Sequence, residues 1–116
     1  MNLNNYQQRL IPFDTFDRED WNGDLSDPAF MEKVLGLTGE AGEVSDKIKK
    51  VLRDDSGELS SAKKDSIIKE LGDVLWYVAT IARYLDTDLE DVATQNVEKL
   101  QSRLDRNKIS GSGDNR

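Results

Sequence analysis

Apolar residues recur along most of the chain with the 3.6-residue period of amphipathic helices, and no segment alternates with the period of a strand. This pattern predicts a short helix within residues 1–10 and two long helices over about residues 28–52 and 62–85. It predicts a third long helix that opens within residues 87–90 and ends at about residue 106. Residues 11–26 hold a proline, a glycine and several aspartates, which predicts a loop. The predicted fold class is therefore all-α, a helical bundle of three long helices plus a short N-terminal helix.

Capping residues support two of the predicted helix starts. Asp27 followed by Pro28 suits a helix start, because the aspartate caps a free N–H group and proline lacks the N–H that would go unpaired. Residues 87–90, Thr-Asp-Leu-Glu, fit a capping box that opens the last helix. The polar residues 109–116 predict a flexible tail, so that one domain is expected over residues 1–108.

Length and composition narrow the possible functions. The 116 residues are the size of one domain, and the net charge of −7 argues against nucleic acid or an anionic membrane as a partner. The chain has no cysteine and no histidine, which excludes disulfides, Cys/His zinc sites and histidine acid–base catalysis. No apolar run has the length of a membrane span or a signal peptide, which predicts a cytoplasmic protein.

Two long predicted helices each carry an acidic pair beside an apolar stripe that is expected to be buried. Glu40 and Glu43 lie on the second helix, and Glu70 and Asp73 lie on the third, with Tyr77 on the same flank. The stripe on the second helix comprises Leu37, Ala41, Val44, Ile48, Val51 and Leu52. The stripe on the third helix comprises Ile67, Leu71, Val74, Leu75, Val78, Ile81 and Leu85. Antiparallel packing of the two helices brings the acidic pairs together in one groove.

These acidic pairs have two interpretations. They are either solvated helix edges that form ion pairs with Lys47, Lys50 or Lys69, or parts of a metal site. Four converging carboxylates repel one another unless a cation lies between them. Clusters of carboxylate oxygens suit hard cations, which predicts Mg²⁺ as the cofactor with Mn²⁺ as a substitute.

Glycines accompany both acidic pairs within the predicted helices. Gly39 and Gly42 flank or interrupt the first pair, and Gly72 lies inside the second. Each costs roughly 1 kcal/mol relative to alanine in a helix interior. The sequence therefore predicts either close helix packing or access of a ligand at these three positions.

The acidic pairs read E-x-x-E and E-x-x-D, as Glu40-Ala-Gly-Glu43 and Glu70-Leu-Gly-Asp73, within the segments GLTGEAGEVSDKIKK and ELGDVLWYVATIA. Together with NVEKLQSRLDR on the fourth predicted helix, they resemble the MazG-like, all-α nucleoside triphosphate pyrophosphohydrolases over nearly the whole chain. The resemblance implies that the four acids bind Mg²⁺ and catalyse hydrolysis between the α- and β-phosphates, with Glu40 or Glu43 accepting the proton of water. It also implies a homo-oligomer, either a dimer or a tetramer.

Further substrate-binding candidates carry two interpretations each. Lys47 and Lys50 continue the acidic stripe and either hold the outgoing pyrophosphate or are helix C-terminal cations favoured by the helix dipole. The resemblance implies that Asn96, Lys99 and Arg103 face the phosphates or the sugar. The alternative interpretation is that these three residues form an ordinary amphipathic edge of the fourth helix.

Three aromatic residues suggest a further surface. Tyr77 is a substrate-binding candidate, while Trp76 points away from the apolar stripe of its helix and indicates a subunit interface or a base-stacking platform. Trp21, in the predicted loop, either closes over a nucleobase or packs down onto the protein.

Two classes of function follow from the sequence. The first is a Mg²⁺-dependent enzyme that hydrolyses (d)NTPs to monophosphate and pyrophosphate in nucleotide-pool house-cleaning. Close alternatives to it are a dUTP/dCTP-type pyrophosphatase and a phosphoribosyl-ATP pyrophosphohydrolase. The second class is a non-catalytic helical interaction or regulatory module. The presence of all four motif acids favours the enzyme.

Overall fold

The computed structural model describes residues 1–16 and 21–116 and is built from helices. Its elements are α1 (Leu3–Arg9), a 3₁₀ helix (Ile11–Phe13), α2 (Pro28–Asp54), α3 (Ser61–Tyr84) and α4 (Leu89–Asp105). No strand occurs in the described residues, so the predicted all-α class is confirmed, and the long helices end within two residues of their predicted bounds. The 3₁₀ helix falls within the predicted loop, of which residues 17–20 lie outside the described part. Within that part, no helix combines the length and the apolar character that crossing a membrane requires.

The start of α2 forms as the sequence predicts. Asp27 has extended backbone angles, and its side chain accepts a hydrogen bond of 2.9 Å from the backbone N–H of Ala29. Pro28 occupies the first helical position, where its missing N–H leaves no group unpaired. This cap fixes the point at which the chain enters the longest helix.

The capping box predicted at the start of α4 is wrong, because residues from another helix cap α4. The side chain of Asp88, the N-cap residue, makes no capping hydrogen bond. Instead, Gln7 Oε1 accepts from the N–H of Leu89 at 3.0 Å, and Asn4 Oδ1 accepts from the N–H of Glu90 at 3.1 Å. The first N–H groups of a helix need acceptors from outside it, and here α1 supplies them.

Gln7 also fixes α1 to the end of α3. The side chain is buried, and its Nε2 donates to the carbonyl oxygens of Ala79 at 3.1 Å and Thr87 at 3.0 Å. One glutamine therefore joins α1, α3 and the start of α4 through three hydrogen bonds. Each bonded group would be costly to bury without a partner.

The contact between α2 and α3, here called the α2–α3 seam, runs antiparallel and brings several polar side chains together. The Tyr77 ring packs onto Gly36, where an added Cβ would overlap the ring. One turn further along α2, Glu40 meets Glu70 and Asp73 of α3. The acidic flanks predicted from the sequence are therefore the facing surfaces of the two helices.

Much of the apolar stripe on each long helix faces away from the seam. Val51 is buried as predicted, but other stripe residues keep 39% to 66% of their surface exposed in the single chain. These residues are Ile48, Leu52, Leu71, Leu75 and Leu85. The expectation that these five residues are buried within one chain is wrong, because no part of the described chain covers them.

The buried apolar cluster lies at one end of the seam and is small. It comprises Ala29, Phe30 and Tyr84, with Trp21, Val34 and Ile81 packed against it. Trp21 stacks on Phe30 with ring centroids 5.1 Å apart and lies 5.5 Å from the Tyr84 ring. Of the two interpretations of Trp21, the structure therefore shows the residue packed down onto the protein.

The close approach at Gly36 yields a prediction about stability. Gly36→Ala is expected to destabilise the protein by roughly 1–3 kcal/mol, because the added methyl group displaces the Tyr77 ring. The matched change Gly39→Ala adds a methyl group with no described atom within 4 Å, so helix propensity alone is expected to stabilise it by roughly 0.5–1 kcal/mol. Urea denaturation of both variants measures the difference.

A second pair of variants identifies the ring as the cause. In a Tyr77→Leu background, Gly36→Ala is expected to lose most of its destabilising effect, since the bulky ring is gone. An equal cost of Gly36→Ala with and without the Tyr77 ring would contradict the packing described here.

Candidate metal centre

Three of the four predicted acids converge across the α2–α3 seam. Glu40 of α2 and Glu70 and Asp73 of α3 each offer a carboxylate oxygen, and these three oxygens lie within 4.8 Å of one another. Glu70 and Asp73 share one face of α3 because they are three residues apart. The three side chains, called the acidic cluster below, form a small patch of oxygen donors that is partly open to solvent.

Negative charge is concentrated in the acidic cluster. Partial desolvation raises the pKa of Glu40 above its usual value of 4.5, and the carboxylates of Asp73 and Glu70 raise it further. A hydrogen bond between the carboxyl groups of Glu40 and Glu70 acts in the same direction, since it requires a proton on one of them. The charge of these acids is therefore only partly balanced by protein groups.

Lys47 is the cation beside the acidic cluster. Its Nζ lies 3.1 Å from Glu70 Oε1 and donates a hydrogen bond of 2.8 Å to Ser66 Oγ. The partner of Lys47 is thus an acid across the seam and not Glu43, the residue one turn before it on the same helix. This position supports the interpretation of Lys47 as part of the site.

Glu43, the fourth predicted acid, lies outside the acidic cluster. Its side chain is exposed, and its charge contributes to the raised pKa of Glu40. The structure places it beside the cluster on the same helix, without a carboxylate oxygen in the group of three. Its role as a metal ligand stays a prediction.

The glycines near the acids are not explained by packing within one chain. No described atom lies within 4 Å of a Cβ built on Gly39, Gly42 or Gly72. The glycine at which two helices come close is Gly36, which the sequence interpretation missed. Open space at the other three leaves room for a ligand or for a second chain.

The remaining predicted substrate residues on α2 and α4 have other partners in the single chain. Lys50 pairs with Asp46 at 2.5 Å. Asn96 and Lys99 line a separate cavity on α4 that contains none of the clustered acids. Arg103 is buried and donates to the carbonyl oxygens of Gly113 and Asp114 at 3.2 and 3.0 Å. The roles of these residues toward substrate stay predictions, as does the flexibility of residues 109–116.

A comparison with known protein families shows the family to which this chain belongs. The model of the MazG nucleotide pyrophosphohydrolase domain matches residues 31–106, about two thirds of the chain. The chain belongs to the MazG family. The matched segment contains the whole acidic cluster and Lys47.

A relative of this MazG-family chain occurs in a bacteriophage. The Gene 37 protein of Mycobacterium phage L5 is 54% identical over 83 residues, which are 72% of this chain and 73% of the phage protein. No solved structure matched the chain.

The MazG-family chain also contains a buried ion pair that the sequence interpretation missed. Lys33 is 2% exposed, and its Nζ lies 3.0 Å from Asp14 Oδ1 and 4.7 Å from the centre of the Phe16 ring. Arg83 Nη2 lies 2.7 Å from Asp14 Oδ2. The sequence contained one indication that Lys33 lies at the seam. Lys33 precedes Glu40 by seven residues, which places both side chains on one face of α2.

The raised pKa of Glu40 yields a prediction about stability and pH in the metal-free protein. Because the pKa of Glu40 is higher in the folded protein than in the unfolded chain, protons bind more tightly to the folded state. This contribution to the free energy of unfolding is present at low pH and is lost as the pH rises through the folded-state pKa. Glu40→Gln is therefore expected to gain stability relative to wild type as the pH rises above about 4.5.

Urea denaturation in EDTA at several pH values measures this difference. Asp65→Asn, at an exposed residue of α3 outside the acidic cluster, is the control and is expected to show no such trend. A difference in stability between Glu40→Gln and wild type that stays constant with pH would show that the pKa of Glu40 is not raised in the folded protein.

Proposed function

We propose that this MazG-family protein hydrolyses nucleoside triphosphates between the α- and β-phosphates in a Mg²⁺-dependent reaction, giving a monophosphate and pyrophosphate. The observation that carries this proposal is the convergence of Glu40, Glu70 and Asp73, one acid from the first motif and two from the second, within 4.8 Å. Lysines follow on the same seam, where phosphate groups need positive charge. The family match supports the same reaction class.

The acidic cluster fits a hard divalent cation. Its donors are carboxylate oxygens, which Mg²⁺ and Mn²⁺ prefer, and its charge is only partly balanced by Lys47. Glu40, Glu70 and Asp73 would hold the ion, with Glu43 as the fourth ligand that the sequence predicts. A bound Mg²⁺ supplies charge neutralisation at the phosphates and a lower pKa for an attacking water.

The protein's own groups supply positioning and proton transfer. The ammonium of Lys47 is close enough to the acidic cluster to bind a phosphate oxygen when Glu70 is engaged elsewhere. Glu40 or Glu43 accepts the proton of the attacking water. The two are separable by experiment, because loss of a metal ligand lowers Mg²⁺ affinity, whereas loss of the proton acceptor lowers kcat with Mg²⁺ affinity kept.

The activity is tested by pyrophosphate release from a panel of NTPs and dNTPs with Mg²⁺. The wild-type protein is expected to release pyrophosphate, and this release is expected to stop in excess EDTA. Asp73→Asn is expected to lose about 100-fold or more in kcat/KM while remaining folded, since the change removes a charge from a repelling cluster. Asp65→Asn, on the exposed face of α3, is expected to keep wild-type activity.

The alternative function gives a different result in the same assay. A non-catalytic interaction module releases no pyrophosphate from any nucleotide and binds no Mg²⁺. Unfolding of Asp73→Asn would instead mark the acids as structural partners and contradict the metal centre. The preferred nucleotide in the panel distinguishes a general house-cleaning role from a dUTP/dCTP-type enzyme.

The protein is further proposed to act as a homo-oligomer in the cytoplasm, with nucleotides and not nucleic acids as ligands. The exposed apolar stripes on α2 and α3 support this, because such surface is normally covered in a soluble protein. The radius of gyration of 17.2 Å also exceeds the value of about 13 Å expected for a compact domain of this length. A second copy that covers the stripes accounts for both observations.

Sedimentation analysis tests the oligomer. Wild type is expected to sediment as a dimer or tetramer of the 13.1 kDa chain. Leu52→Glu, on the exposed stripe of α2, is expected to weaken association at least tenfold because it places a charge in an apolar interface. Leu25→Glu changes a similarly exposed leucine in a loop and is the control. A wild-type monomer at micromolar concentration would contradict the proposal.

A further inference from the structure

Residues 109–116 fold back onto α4 instead of extending away from it. Asn107, just after the end of α4, has a φ of +53°, a left-handed conformation that ends many helices and reverses the chain. Gly111 and Gly113 have φ values of +111° and +85°, which glycine adopts readily because it has no Cβ. We call residues 109–116 the strap.

The strap covers two cations on one face of α4. Lys99 and Arg103 are four residues apart, so their side chains are neighbours on the helix. Asp114 Oδ1 lies 3.5 Å from Lys99 Nζ and 3.3 Å from Arg103 Nη2. Arg103 Nη2 also donates to the carbonyl oxygens of Gly113 at 3.2 Å and Asp114 at 3.0 Å. Arg103 is consequently only 5% exposed.

The strap satisfies the guanidinium of Arg103 only in part. All three acceptors contact Nη2, whereas Nε is buried and has no hydrogen-bond partner among the described residues. A buried donor without a partner is costly. Two oxygens of one phosphate group can accept from Nε and Nη2 together, because their spacing matches that of the guanidinium donors. The guanidinium therefore suits a phosphate better than it suits the strap.

Asp114 stands in the place of such an anion and is held weakly. The ammonium of Lys99, and after it the guanidinium of Arg103, lower the pKa of Asp114 below its usual value of 3.8, so the carboxylate is charged at neutral pH. The Asp114 side chain is 86% exposed, and water screens ion pairs in such a position. A ligand with a stronger anionic group can therefore displace the carboxylate.

An open cavity of about 600 Å³ lies beside the two cations. Its lining comprises Thr87, Val92, Gln95, Asn96 and Lys99. The volume is in the range of sites that hold small molecules. A ligand that places a phosphate between Lys99 and Arg103 has room for the rest of its structure in this cavity. Such a ligand and Asp114 need the same two cations.

We propose that the strap is autoinhibitory: its Asp114 carboxylate occupies an anion site formed by Lys99 and Arg103, and a ligand that carries a phosphate group displaces it. The covering of the site rests on the strap alone, whereas any effect on turnover rests on the hydrolysis proposed above. Because a ligand reaches the site only when the strap is open, the closed strap lowers the apparent affinity in proportion to the open fraction.

Two changes open the strap by different means. Gly113→Ala keeps the charge and strains the closed strap, because alanine is disfavoured at a φ of +85° although no described atom crowds the added Cβ. Asp114→Asn removes the charge that pairs with both cations. The matched controls are Ser110→Ala within the strap and Asp105→Asn on α4, where the carboxylate accepts a hydrogen bond from Gln101.

The position of the strap is measured by electron paramagnetic resonance of a nitroxide label. The chain has no cysteine, so Ser112→Cys provides one attachment site within the strap. The label is expected to be restricted in the otherwise wild-type protein and mobile in Gly113→Ala, in Asp114→Asn and in the presence of inorganic pyrophosphate. The two controls are expected to leave it restricted. A label of equal mobility in all of these samples would overturn the strap.

Calorimetric titration with inorganic pyrophosphate in EDTA measures the competition without a metal ion. Gly113→Ala and Asp114→Asn are expected to bind about fivefold more tightly than wild type, and the controls are expected to bind as wild type. Arg103→Met in the Gly113→Ala background is expected to lose most of this gain, since one of the two cations is gone. Equal affinity of Gly113→Ala and wild type, or no binding by any variant, would overturn the proposal.

Hydrolysis is a separate readout. If the enzyme acts as proposed above, Gly113→Ala is expected to lower KM for a nucleoside triphosphate about fivefold with kcat unchanged. Tighter pyrophosphate binding by Gly113→Ala without hydrolysis of any nucleotide would support the strap and overturn the enzyme. Hydrolysis by wild type without a gain in pyrophosphate affinity in Gly113→Ala would support the enzyme and overturn the strap.

Discussion

The rest of this structure depends on a contact between two long helices that brings charged and polar side chains together. Along the α2–α3 seam, a buried lysine lies at one end, carboxylates meet in the middle and lysines line the other end. Such a contact costs desolvation free energy that apolar packing would not, and each charge needs a partner. The acids in the middle are only partly balanced by the nearby Lys47, so a cation bound there would stabilise the fold.

The presence of charged side chains at the seam has a consequence for the apolar residues. The leucines and isoleucines that would fill an ordinary helix–helix contact lie on the outer faces of α2 and α3. One chain alone therefore has a small buried cluster around Phe30 and Tyr84 and a large exposed apolar surface. In the proposed oligomer, stability and catalysis use different faces of the same helices, since the partner covers the stripes and the seam is left for the ligand.

The sequence predicted the helices, the cap at Asp27 and the meeting of three of the four motif acids, because hydrophobic period and capping chemistry are local properties. It did not predict which face of α2 meets α3. The apolar stripe that includes Leu52 lies beside the acidic flank on α2. The hydrophobic period alone does not show which of the two surfaces contacts α3. The cap from Gln7 to α4 and the ring of Tyr77 on Gly36 depend on residues far apart in the chain, so no local pattern reveals them.

The position of Lys47 links the metal and the phosphates in one thermodynamic cycle. Without a metal, its ammonium is the nearest positive charge to Glu70 and competes for that carboxylate. In the proposed enzyme, a metal ion held by Glu70 would weaken this attraction and leave the Lys47 ammonium, which also donates to Ser66 Oγ, to a phosphate oxygen of the substrate. Occupation of either site then favours the other, because coupling between two sites is reciprocal. In the proposed enzyme, the nucleotide and Mg²⁺ would therefore bind together more tightly than either alone, because one lysine is shared between two neighbours.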